Sequence, residues 1–159
     1  MDKLLQLLEE DCMLSSEQLA VMTDQSVEAV EAAIAQYKKD KVILKNKSVI
    51  NWEKTDKEFV TALIELNVTP QRGDGFDKIA ERIYQYPEVK SLYLMAGSFD
   101  LTVIVEGRTL KEVSLFVSTK LAPMECVINT ATHFVLKKYK DENVIFGEPE
   151  KDDRQVITL

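Results

Sequence analysis

Glycine and proline are scarce, five and four among 159 residues, and Pro70 is the first of either. Tight β turns lean on both, so so long an opening without them excludes an all-β N-terminal domain. Histidine occurs once, at His133, and cysteine twice, at Cys12 and Cys126. That set offers no zinc spacing and no disulfide framework, and the cysteines read as free thiols of a reducing compartment. His133 and Cys126 fall on what reads as one strand at an odd separation, hence on opposite faces, and make no nucleophile–base pair. Gly73-Asp74-Gly75 is followed by Lys78 where a dinucleotide fingerprint needs its third glycine, and no Gly-Lys-Ser/Thr occurs. No catalytic constellation emerges, so the expectation is not an enzyme, with no metal and no cofactor. No apolar run approaches the roughly 18 residues of a membrane span. Met1 to Glu10 has neither a basic start nor a small-residue cleavage site, so neither a leader nor a membrane partner is expected and the cytoplasm is the expected location.

Arginine is absent until Arg72, and the net charge of −7 is unevenly spread. Residues 1–37 hold one lysine against eight acids, whereas residues 38–47 hold five lysines against Asp40. The acidic balance argues against indiscriminate nucleic-acid binding. The compact lysine block is the local exception. It reads either as a phosphate-gripping patch or as a solvated surface run.

The two halves differ in periodicity. Leu4, Leu5, Leu7 and Leu8 give a first helix an apolar stripe. Ser15 with Gln18 has capping-box spacing and opens a second helix over 16–22, burying Leu19 and Ala20. Ser26 is a good N-cap for a third helix over 27–39, whose Val30, Ala33, Ile34 and Tyr37 share one face. Val42-Ile43-Leu44 and Val49-Ile50 flank Asn46-Lys47 and predict a hairpin. Helix-turn-helix plus hairpin is a winged helix. In the second half, 59–68 alternates with Val60, Ala62, Ile64, Leu66 and Val68 in phase. Gly73-Asp74-Gly75 opens a helix carrying Phe76, Ile79, Ala80 and Ile83. Strands over 89–95 and 100–106 flank a tight turn at Gly97-Ser98, where glycine suits a positive φ. Thr109 with Glu112 caps a helix bearing Leu110, Val113, Val117 and Leu121, and a strand over 126–136 closes a βαββαβ unit. The fold class is therefore α+β: an N-terminal winged helix-turn-helix, then a ferredoxin-like βαββαβ domain. The expected boundaries are 1–51 for the first domain, 52–58 for a linker, 59–140 for the second and 141–159 for an acidic tail. Both parities of the later strands look apolar (Leu92 and Leu94 against Tyr93 and Met95, Ile104 between Val103 and Val105). A sheet apolar on both sides needs a second cover, most simply another copy of the chain, so a homo-oligomer is expected.

This architecture resembles the leucine-responsive regulator/AsnC (feast/famine) family of prokaryotic transcription regulators over nearly the whole chain. The carrying motifs are Ala96-Gly97-Ser98-Phe99-Asp100-Leu101 and Thr132 followed by Phe134-Val135-Leu136. The resemblance implies dimers and multiples of dimers, and a small effector, mostly an amino acid, at the glycine-to-aspartate turn. Its effector residues here would be Gly97, Ser98, Phe99, Asp100 and Thr132. The family's third helix is Arg-rich outside and usually ends in glycine, where this chain has Ala32, Ala33, Ala35, Gln36 and then Lys41. The candidate contacts to double-stranded DNA are Ser26, Lys38, Lys39, Lys41, Lys45 and Lys47. The expected function is a DNA-binding transcription regulator whose C-terminal domain oligomerises and senses a small molecule, with an amino-acid-binding oligomer of weak or lost DNA binding as the alternative.

Overall fold

A computed structural model describes residues 2–70 and 75–147. The chain divides into two compact units, Met1–Ile50 and Asn51–Leu159.

The first unit is three helices. α1 (Lys3–Glu10) is capped by Asp2, whose carboxylate accepts from the Leu4 and Leu5 amides. α2 (Ser16–Thr23) starts with the full Ser15–Gln18 capping box. α3 (Val27–Lys39) starts at Ser26, whose hydroxyl accepts from the Ala29 amide at 3.2 Å. Leu4, Leu19, Ala20 and Val30 form the core, with Ile34 and Tyr37 packed against it. Asp24 ends α2 in the left-handed region at φ 56°, which aspartate tolerates and which turns the chain sharply into α3.

The predicted hairpin is not formed: residues 42–50 carry no paired strand. Apart from the half-buried Ile43 its apolar residues are exposed, Leu44 at 82% and Ile50 at 45%, so little core rewards the pairing. A lone two-stranded ribbon is marginal in water, and Asn46-Lys47 lacks the glycine that favours a two-residue turn. The segment is an unpaired arm rather than a wing.

The second unit opens with a single 3₁₀ turn, Trp52–Lys54, in the stretch expected to be a linker. Four strands follow: β1 (Val60–Val68), β2 (Val89–Leu94), β3 (Leu101–Gly107) and β4 (Val127–Phe134), in the antiparallel order β2-β3-β1-β4. α4 (Gly75–Tyr84) joins β1 to β2, and α5 (Leu110–Phe116) joins β3 to β4. The expected helix opening at Gly73-Asp74 lies outside the described residues. Ala62, Ile64, Leu66, Leu101, Val103 and Val105 from one sheet face share a single core with Ile79, Ile83, Val113 and Leu121. Both helices therefore cover that face. Leu110 is 55% exposed instead of facing inward. α5 widens into a π turn at Val117–Leu121, where the Ala122 amide reaches back to the Val117 carbonyl. Within it, the Ser118 and Thr119 hydroxyls both donate to the Leu115 carbonyl, competing for an acceptor of the helical ladder.

The opposite sheet face is more mixed than the sequence suggested. Leu63, Tyr93, Ile104 and Ala131 share it with Glu65, Glu106 and His133. A register shift where β4 meets β1 alters the parity from which two apolar faces were read, moving Val127 to the covered side opposite Val68. Beyond β4, β5 (Lys140–Asp141) and β6 (Val144–Ile145) make a small hairpin across the expected boundary after Lys140. The expected acidic tail beyond Gly147, with Val156 and Ile157, lies outside the described residues.

Candidate functional site

The turn between β2 and β3 is held by the end of β1. The Met95 amide donates to the Asp100 carbonyl at 2.8 Å, closing a six-residue connection. The Asp100 amide donates to the Leu66 carbonyl at 2.9 Å. The Asp100 carboxylate accepts from the Val68 amide at 2.8 Å, and the Asn67 side-chain amide donates to the Ser98 carbonyl at 3.0 Å. Three of these four bonds fasten Ser98 and Asp100 to three consecutive residues of β1, and the fourth closes the connection on itself. Asp100 is half-buried, and one of its oxygens is committed to ending the β1 ladder.

Two expectations change here. Gly97 does not adopt a positive φ, because the connection is too long to need a mirror-image hairpin turn. A Cβ on Gly97 would meet nothing within 4 Å, so the fold does not require glycine there. Thr132, the fifth effector candidate, sits half-buried on β4 opposite Ile64, with β1 between it and the turn. Strand spacing puts the two about 14 Å apart within one chain. The structure therefore brings Gly97, Ser98, Phe99 and Asp100 together and leaves Thr132 apart. Asn67, which sequence reasoning passed over, joins the turn from an alternating strand in which it looks like any outward polar residue.

Leu94 and Leu101, which flank the turn, also line a cleft of about 330 Å³ between α4 and β2. Phe76, Ala80, Tyr84 and Leu92 complete its apolar wall, and Asp77, Lys90 and Ser91 supply polar groups. Clefts of this size and lining are typical of small-ligand sites. His133 lies across the open sheet face, 3.4 Å from the Glu65 carboxylate, and Cys126 is buried. Among the described residues no three His, Cys, Asp or Glu side chains cluster to hold a metal, and no helix is long and apolar enough to cross a membrane.

In the first unit the outward side of α3 changes sign along its length. Glu28 and Glu31 are exposed near its start, and Lys38 and Lys39 near its end. The α3 backbone and the Ser26 hydroxyl bond the Glu28 carboxylate and hold its pKa below the ordinary value, so it stays charged. Lys41, just past α3, and Lys45 and Lys47 in the arm continue the basic run as exposed side chains. Ser26 is occupied as the N-cap. Lys41 sits in the left-handed region at φ 57°, just past the α3 C-cap, a position where glycine is the usual residue.

Residues 61–145 match the family model described as the Lrp/AsnC ligand binding domain. The chain is 42% identical over 157 residues to the HTH-type transcriptional regulator YugG of Bacillus subtilis, covering 98% of this chain and 95% of that protein. Among solved structures it is similar to the transcriptional regulator NMB0573 of Neisseria meningitidis, in complex with L-Met, at TM-score 0.72 and 21% identity. That match covers 89% of this chain and 93% of the other. It is also similar to AsnC of E. coli at TM-score 0.67 and 15% identity, over 87% and 93% of the two chains.

Proposed function

The chain belongs to the Lrp/AsnC family of transcriptional regulators, and from that premise we propose that it controls transcription in the cytoplasm in response to an amino acid bound at the turn over residues 97–100. It is an HTH-type regulator with a C-terminal ligand-binding domain. The observation that carries the finer reading is the turn itself. Its backbone is fixed by β1 before any ligand arrives, so little ordering entropy is lost on binding. A zwitterion needs a donor for its carboxylate and an acceptor for its ammonium, since leaving either charge buried and unpaired is expensive. A turn of backbone amides beside an acidic residue offers both. The apolar cleft that begins at Leu94 and Leu101 takes the ligand's hydrophobic part. The Neisseria regulator's L-Met supports an amino acid as the ligand class. Thr132 stands opposite the core residue Ile64, on the sheet face that the helices cover, and reaches a ligand at such a turn only across a subunit boundary, which fits a homo-oligomer. Binding then shifts assembly wherever two arrangements hold the ligand with different affinity.

On DNA, α2 and α3 form the helix-turn-helix, and Lys38, Lys39, Lys41, Lys45 and Lys47 meet phosphates, with Ser26 at the groove-facing end of α3. Lysines contacting phosphate position a protein on the duplex without reading sequence. The exposed Glu28 and Glu31 favour the second reading, an amino-acid-binding oligomer with weak or lost DNA binding, because carboxylates there repel phosphates. A thermal-shift panel of the twenty amino acids tests the ligand, and a gel shift on the gene's own upstream DNA at stated salt separates the two readings. The absence of any thermal shift at millimolar amino acid overturns the effector assignment. The absence of any retarded complex at 50 mM salt, roughly where phosphate contacts are strongest, leaves the second reading.

A further inference from the structure

We propose that Asn67 is the positioning residue of the effector site, setting one peptide plane so that the backbone of Phe99 grips the ligand; this rests on the reading of the 97–100 turn given above. The argument is geometric. A trans peptide is planar, with its C=O and the following N–H pointing in opposite directions. The Asn67 side-chain amide holds the Ser98 carbonyl toward β1 at 3.0 Å, so the Phe99 amide in the same plane points away from β1. In the next plane the Asp100 amide is held toward the Leu66 carbonyl at 2.9 Å, so the Phe99 carbonyl also points away. Phe99 therefore directs one donor and one acceptor away from β1. That pair fits a carboxylate and an ammonium borne by one carbon, the backbone of a free α-amino acid. The second plane is fixed by main chain alone. The first is fixed by a side chain, and Asn67 is the group whose identity decides it.

Asn67 is well placed for this role. It stands opposite Asn129 on β4, at the last regular pair before the register shifts between Asn67 and Val68. Its side chain does not belong to the buried core, so changing it perturbs the turn rather than the packing. The Asp100 carboxylate, which accepts from the Val68 amide, frames the other side of the turn.

The test compares Asn67→Asp, which keeps the shape but has no N–H to donate, with Asn67→Gln, which keeps the donor. Calorimetric titrations use L-methionine and L-methioninamide, and the same acid–amide pair for any other amino acid found in the panel. Wild type should prefer the acid to the amide. Asn67→Asp should bind the acid about tenfold more weakly, the scale of one or two hydrogen bonds to a charged group, and should lose that preference. Asn67→Gln should retain part of both. If Asn67→Asp proves unfolded by circular dichroism, Asn67→Thr, strand-compatible and too short to reach Ser98, replaces it. A folded Asn67→Asp with unchanged affinity and unchanged acid–amide preference overturns the positioning role while leaving the amino-acid reading intact. A wild-type protein that binds acid and amide alike overturns the Phe99 assignment. A wild-type protein that binds none of the twenty overturns both.

Discussion

Replacing Gly97 by alanine separates what the fold needs at the turn from what a ligand needs. Gly97 has no positive φ, and an added Cβ meets no atom within 4 Å. Neither strain nor a clash opposes the change. Alanine also restricts the unfolded chain more than glycine does, so the variant should be more stable by about 0.4–1 kcal/mol. For a domain of this size that is a rise in melting temperature of a few degrees, roughly 2–6 °C. Urea unfolding followed by the fluorescence of Trp52, the chain's single tryptophan, reports on the unit that contains it. The space around that Cβ is also where the proposed ligand lies. The same variant should therefore bind the effector at least about tenfold more weakly, because a methyl group pushed into a close backbone contact costs on the order of 1–3 kcal/mol. Gly107 is the internal control. A Cβ there meets Val113 Cγ2 at 3.0 Å, so Gly107→Ala should destabilise without touching the site directly. A Gly97→Ala protein destabilised by more than about 1 kcal/mol would refute the backbone argument, since nothing in it allows such a cost. Full stability with unchanged affinity would refute close approach of the ligand to Gly97.

Asp100→Ala removes the acceptor of the Val68 amide, a part-buried bond of 2.8 Å, and should cost about 1–3 kcal/mol in urea unfolding, while Asp100→Asn retains an oxygen and should cost less. Lys41→Gly relieves a lysine held at φ 57° and should stabilise the first unit by about 1 kcal/mol, seen as a higher urea midpoint of the helical circular-dichroism signal. Lys45→Ala with Lys47→Ala should weaken binding to all DNA sequences and flatten the log-affinity against log-salt slope by about 2 per engaged subunit, and an unchanged slope would remove the arm from the interface. The Tyr37 hydroxyl donates to the Asp2 carboxylate, which also accepts from the Leu4 and Leu5 amides, and these bonds hold its pKa below the ordinary value. A depressed folded-state pKa contributes stability above the unfolded value that disappears as pH falls through the folded one. The helical signal of wild type should therefore weaken below about pH 4 more than that of Asp2→Asn, which has no charge to lose.

The helices and the four-stranded sheet were legible because their signals are local and periodic. Ser15–Gln18 and Ser26 are caps within one turn of the residues they serve, and they start α2 and α3 where spacing puts them. The alternation of Ala62, Ile64, Leu66 and Val68 names the buried side of β1 without knowledge of its neighbours. Facing is legible only while the period holds. Where β4 shifts against β1 between Asn67 and Val68, counting by twos put Val127 on the wrong side and made the open face look more apolar than it is. The arm at 42–50 failed for the complementary reason. β-branched residues state a preference for extension, but whether an extended segment pairs depends on a surface elsewhere that the segment does not encode.

The turn over residues 97–100 was legible as a motif, but what holds it in shape was not. Its glycine suggested a positive φ, yet the strain in this chain falls on residues with side chains: Asp24, Lys41, and the Glu142-Asn143 pair that turns β5 into β6. No glycine marked that last hairpin, so it went unread. Asp100 carried two readings of equal weight, ligand acceptor or turn cap, and its bond to the Val68 amide gives it the second role whatever else it does. Asn67 had no reading, because its partner Ser98 lies 31 residues away. Short-range rules for asparagine concern its own backbone a few residues on. What makes it matter is antiparallel register. Leu66 pairs with Leu101, so the chain leaves β1 beside the place where it enters β3, and the residue after Leu66 faces the connection before Leu101. A side-chain donor at that one position can set a peptide plane in the turn, and a donor at Glu65 or Thr69 would not stand at the same point of the ladder. The shape of this turn is therefore specified by a pairing, and a pairing becomes visible only when both strands are seen together.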